Sequence, residues 1–168
     1  MKKLFLMTTF LCISFYAQSL VQRLNITGQA ASGVYTSPIG SGDLEFHVWI
    51  TISNAGERPL QFDQIHTFWF SSGGAQPQIT QKENEMFIID PGESDEFHFS
   101  TNGYTSQIMR AASSVNEPVK FGFYLTKGNS TISRRYYAVL PELEKLPRHL
   151  YHDRKGKQLY KLHFSSID

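Results

Sequence analysis

From Asp43 to Ser53 the chain alternates without a break: Leu44, Phe46, Val48, Ile50 and Ile52 are apolar, with Glu45, His47, Trp49, Thr51 and Ser53 between them. Successive side chains of a β-strand point to opposite faces, so this run predicts a strand with one face against a core. Asn54-Ala55-Gly56-Glu57 follows with turn chemistry, and Leu60 and Phe62 start a second run behind Pro59. Ile65 to Phe70 is apolar enough for a strand but ambiguous in phase, because Phe68 and Phe70 oppose Ile65 and Trp69. Met86 to Ile89 leads into Asp90-Pro91-Gly92-Glu93-Ser94, where Pro presets the first central dihedral of a turn and Gly supplies a positive second one. Phe97 and Phe99 then alternate, as do Val119, Phe121, Phe123 and Leu125. Lys127-Gly128-Asn129-Ser130 reads as a hairpin turn into a partner strand from Thr131 to Leu140.

A short early strand around Leu24 and Ile26, and a helical turn in Gln107 to Ala112, complete the pattern. Aromatics make up 14% of the chain and recur among Val, Ile and Thr, a bias that favours strands. Several short strands with turn signals between them and little helix predict an all-β sandwich or barrel over residues 19–140, with a short C-terminal extension at 141–168. That extension is basic and carries turn-like Asp153-Arg154-Lys155-Gly156-Lys157 between two Leu-Tyr pairs. It reads as a docked hairpin or a loosely held tail, with Leu159, Leu162 and Phe164 favouring docking.

The N-terminus sets the compartment. Lys2 and Lys3, the mostly apolar Leu4 to Tyr16, and Ala17-Gln18-Ser19 have the layout of a signal peptide at residues 1–18. The apolar run falls short of the ~20 residues a membrane span needs, so no membrane span is expected. The one cysteine, Cys12, lies inside this run without the small residue that precedes a lipidated cysteine, so it leaves with the signal peptide. Disulfides and cysteine-based zinc sites are then unavailable to the exported chain, which is periplasmic or extracellular. Without Lys2 and Lys3 the 16 basic residues become 14 against 15 acidic ones, a charge of −1. A near-neutral domain lacks the phosphate attraction that nucleic-acid binding depends on, so nucleic acid is not an expected partner.

Two segments carry a resemblance. Val48-Trp49-Ile50-Thr51-Ile52-Ser53-Asn54-Ala55-Gly56-Glu57-Arg58-Pro59-Leu60 resembles the second strand and turn of bacterial immunoglobulin-like adhesion modules. Ile88-Ile89-Asp90-Pro91-Gly92-Glu93-Ser94, followed by Phe97 and Phe99, is similar to a later turn of the same modules. The resemblance spans about Asp43 to Leu125 and implies an all-β fold, a single immunoglobulin-like β-sandwich with a short C-terminal extension, and an extracellular habit, but no catalytic residue. Such modules usually occur as repeats in long surface proteins, whereas here one copy follows a signal peptide, which favours a free-standing binding protein.

No nucleophile elbow, zinc helix, phosphate loop or suggestive carboxylate pair is present, so the chain is expected to be no enzyme and to hold no cofactor or metal. His149 and His152 beside Asp153 read as solvated tail histidines, because ligands without a supporting shell make a poor metal site. Two faces remain. Tyr124 points outward if Val119 to Leu125 keeps its phase, and Trp69 with Tyr136 or Tyr137 is expected beside it, as a stacking platform or as ordinary cross-strand pairs. His47, Trp49 and His98 oppose the apolar phases of two strands expected to be neighbours; they form either a partner patch or a surface covered by the C-terminal segment. These give two hypotheses: a non-catalytic module that binds another protein or envelope assembly, and a carbohydrate-binding module that uses the outer-face aromatics. A coplanar aromatic row would favour sugar, and a large apolar patch or unprotected edge would favour protein.

Overall fold

The computed structural model describes residues 24–36, 42–71, 74–81, 85–100, 118–141, 145–146, 148–149 and 159–167. The expected signal peptide at residues 1–18, the helical turn expected at Gln107 to Ala112, and His152 with Asp153 lie outside them. The described chain is almost wholly β, in thirteen strands: β1 Leu24–Thr36, β2 Gly42–Asn54, β3 Leu60–Phe62, β4 Gln64–Ser71, β5 Gly74–Gln81, β6 Phe87–Ile89, β7 Ser94–Ser100, β8 Lys120–Lys127, β9 Ser130–Thr131, β10 Arg135–Val139, β11 Arg148–His149, β12 Tyr160–Leu162 and β13 Ser165–Ile167. One sheet runs β11-β1-β2-β7 with β12 also on β1, a second runs β13-β10-β8-β4-β5 with β9 also on β8, and β3 pairs with β6. The pairings are antiparallel except for β11, which is parallel to β1.

Alternation decides what fills the space between the sheets. Phe46, Val48, Ile50 and Ile52 of β2 and Phe121, Phe123 and Leu125 of β8 are buried in one shared cluster, joined by Phe99. Phe97 sits at the rim of this core, half-buried, with its ring edge-on to Phe62 and Phe87. The ambiguous run Ile65 to Phe70 settles with Ile65, Thr67 and Trp69 inward and His66, Phe68 and Phe70 outward. Trp69 lies opposite Phe121, their ring centroids 5.0 Å apart, and 6.5 Å from Phe46.

The two motifs that carry the family resemblance meet at one residue. Asn54, buried at the end of β2, donates its side-chain amide to the carbonyls of Arg58 (2.7 Å) and Ile89 (2.9 Å), and its Oδ1 accepts from the Gly56 amide. Its own backbone exchanges bonds with the other turn: Asn54 N to Glu93 O and Gly92 N to Asn54 O, both 2.9 Å. In that turn Glu93 N donates to Asp90 O, and Gly92 has φ +81°, the left-handed value the Pro-Gly order demands. Both motifs therefore encode a clamp that pins two turns together.

The first strand and turn of the hairpin expected in the C-terminal extension, residues 150–158, lie outside the described residues, and the described end of the chain is docked rather than loose. β12 joins β1 in one sheet and β13 joins β10 in the other, so the last described residues add a strand to each sheet. Leu162 is buried in the common core, and Phe164 packs on it, edge-on to Phe121 and Phe123. Gly28 of β1 makes room for this ring: a Cβ there would meet Phe164 Cε2 at 2.5 Å.

Candidate functional site

The outer face of the second sheet is not the platform expected. Trp69 is fully buried and belongs to the core, because its neighbours Ile65 and Thr67 share the register that faces Leu125 and Phe123. Tyr136 also turns inward, stacking on Phe123 at 5.3 Å, and burial raises its phenol above the ordinary value, with partial relief from the Arg134 charge. Tyr137 lies opposite Gly122, on the outward register. Tyr124 does face outward, but both faces of its ring are taken. On one side His66 stacks at 4.6 Å with planes 1° apart; on the other the Arg135 guanidinium sits 5.6 Å over the ring. Phe68 adds a third ring at 5.7 Å. Cross-strand neighbours standing upright on a sheet stack on each other, so Tyr124 presents an edge to solvent, and sugar stacking requires a face. His66 was the residue sequence reasoning missed here; only the pairing of His66 with Tyr124 reveals it.

The second predicted cluster assembles on the outer face of β1, β2 and β7. Trp49 lies opposite His98, with His47 on the diagonal. His47 Nδ1 and His98 Nε2 are 2.9 Å apart, with ring centroids 5.2 Å apart and planes within 7°. That centroid distance is the nitrogen contact extended by a ring radius at each end, so the two imidazoles lie head to head in one plane, joined by an in-plane N–H···N bond. The nitrogens point at each other and share one hydrogen, which leaves no convergent lone pairs for a metal. The Trp49 indole lies against this pair, 4.7 Å from His98 and 5.8 Å from His47, with planes 18° and 20° apart. His98 is exposed, whereas His47 and Trp49 retain only 2% and 6% exposure. Leu159, just before β12, clusters with Ala31 and Trp49, so the C-terminal segment covers part of this face.

Beside the covered part opens a hollow of about 600 Å³. Register explains its lining: Lys161, Gln29 and Trp49 stand in one cross-strand row, and Thr27, Thr51 and Glu96 in the next. One carboxylate and one ammonium thus flank hydroxyl and amide groups beside an indole. Elsewhere, His149 pairs with Gly33 through its backbone, and the described residues contain no group of three metal-ligating side chains. Among the described residues the large exposed apolar side chains are those of Met86, Ile88, Val139 and Tyr160. Only Met86 and Ile88 are near neighbours in sequence, on alternate positions.

No family model matches the chain, and no curated protein matches it either. Among solved structures it is similar to a Northeast Structural Genomics Consortium target, with 15% identity over 77% of this chain and 96% of the other, and a TM-score of 0.44. A Bordetella pertussis protein bearing the provisional name ApaA gives 13% identity, 72% and 96% coverage and a TM-score of 0.42. A protein from Archaeoglobus fulgidus gives 11%, 86% and 96%, and 0.40. Likenesses of this strength carry no argument about function.

Proposed function

We propose that the chain is an exported, non-catalytic interaction module, a single immunoglobulin-like β-sandwich that binds another protein or envelope assembly through the outer face of the β11-β1-β2-β7 sheet. The observation that carries this reading is the hollow beside Trp49, where an indole wall and oppositely charged Glu96 and Lys161 offer a receptor for a projecting group of a partner. Export rests on Lys2 and Lys3, the apolar run and the small-residue exit at Ala17. The test is a pull-down from the native envelope fraction with wild type and Thr51→Trp, which fills the hollow from a half-buried strand position. Wild type is expected to capture a discrete partner that the variant loses at an unchanged melting temperature. Equal capture by both proteins would overturn the reading.

The polar lining of the same hollow favours a second reading, a carbohydrate-binding module. Thr27, Gln29, Thr51, Glu96 and Lys161 supply the donors and acceptors that hydroxyl groups need, in place of Trp69 and Tyr124. A glycan array run beside the pull-down separates the two: a sugar signal abolished by Thr51→Trp favours this second reading.

A further inference from the structure

We infer that His47 and His98 form a proton-operated latch over Trp49. The argument is an inventory of hydrogens. A neutral imidazole carries one N–H, and an imidazolium carries two. In the neutral pair one hydrogen lies in the 2.9 Å contact between His47 Nδ1 and His98 Nε2, and the accepting ring holds the other on its far nitrogen. A third hydrogen goes onto the far nitrogen of the donating ring, which carries none in the neutral pair, and leaves the bond intact. A fourth has nowhere to go except into the contact, where two N–H groups would face each other. The pair therefore accepts one proton closed and a second only by opening.

The surroundings sharpen this division. The Trp49 face, 4.7 Å from His98, attracts the first positive charge as a ring face attracts any cation. Glu96 of β7 shares the outward register of His98, and Glu45 of β2 stands at the register position two residues from His47, so acidic positions on both strands favour that charge. Lys161, across Gln29 from Trp49, opposes it, and His163 lines the same hollow. Ala31 and Gln29 of β1, Ser100 of β7 and Leu159 carry no charge. A second charge would have to sit on His47, which is almost wholly buried, or drive His98 outward. His98 is the exposed member and is the ring that moves. Its departure uncovers the indole that walls the hollow, so acid changes the shape of the binding face. This last consequence rests on the proposed function; the latch itself does not.

The experiment follows the imidazole nitrogens and the Trp49 indole by NMR in the full-length exported chain, from about pH 8 to below about pH 5. The expected result is two macroscopic steps separated by more than ~1 pH unit. A bridging hydrogen coupled to both nitrogens should persist through the first step, and Trp49 should shift with its loss in the second. His98→Gln, an exposed substitution, should leave a single step at His47. Both imidazoles titrating together in one step, or no coupling across the contact at any pH, would overturn the latch. A pull-down repeated at both ends of the range keeps the two readings apart. Equal capture at both overturns control of binding by the latch; no capture at either overturns the binding reading, while the NMR titration still decides the latch.

Discussion

Replacing Trp69 with Ala tests most directly which residues of the second sheet belong to the fold. Trp69 is fully buried, touches Phe46 and Phe121, and has its indole Nε1 buried without a partner among the described residues. A tryptophan buries roughly 150–250 Å². At about 25 cal/mol per Å² that is worth ~4–6 kcal/mol, an upper bound because the unfolded chain is already partly collapsed. Releasing an unpaired buried N–H returns ~1–3 kcal/mol, and the residual cavity takes some of this back. The expected loss is ~3–5 kcal/mol. For a domain of this size that lowers the melting temperature by roughly 6–20 °C. Trp69→Phe keeps a ring and deletes the orphaned N–H, so its cost should stay below ~2 kcal/mol. Tyr124→Ala loses only cross-strand contacts of a half-exposed ring and should cost ~1 kcal/mol. Urea and thermal unfolding followed by near-ultraviolet circular dichroism measure all three. A Trp69→Ala loss below ~1 kcal/mol would refute the inward phase of β4, and a Trp69→Phe loss as large as that of Trp69→Ala would show that the indole N–H has a partner.

Asn54→Ala strands the carbonyls of Arg58 and Ile89 and the amide of Gly56, and should cost ~2–4 kcal/mol in urea denaturation; a neutral result would mean that the clamp between the turns is dispensable. Gly92→Ala meets nothing within 4 Å, so its cost is purely that of φ +81°, ~1 kcal/mol, and a stabilised variant would contradict that dihedral. The raised phenol of Tyr136 makes stability fall in alkali. Above about pH 10 the unfolded chain releases this proton before the folded one does, so stability is full below that pH and declines as pH rises through it. Tyr136→Phe should flatten this decline in unfolding free energy measured across that window, and an unchanged slope would assign it to other groups.

Local rules carried far at some positions. In β2 every second residue from Phe46 to Ile52 is apolar, and these four join the common core because a strand has only two faces, while His47 and Trp49 on the other face are buried outside that core. The turn at Asp90 to Ser94 was legible because Pro and Gly restrict their own dihedrals whatever surrounds them. The same-face placement of His47, Trp49 and His98 followed from phase plus an assumed strand pairing. In β4 both phases are apolar, so only the register that sets Ile65 against Leu125 and Trp69 against Phe121 could bury Trp69 and leave His66 beside Tyr124. The C-terminal strands were similarly hidden: Phe164 finds its place through Gly28, far away in the chain and visible only once β1 and β12 pair. The hydrogen bond between His47 and His98 belongs to the same class. Alternation tells a strand which way each side chain points; the neighbour it points beside is chosen by pairing across the sheet, where the whole core competes to set the register.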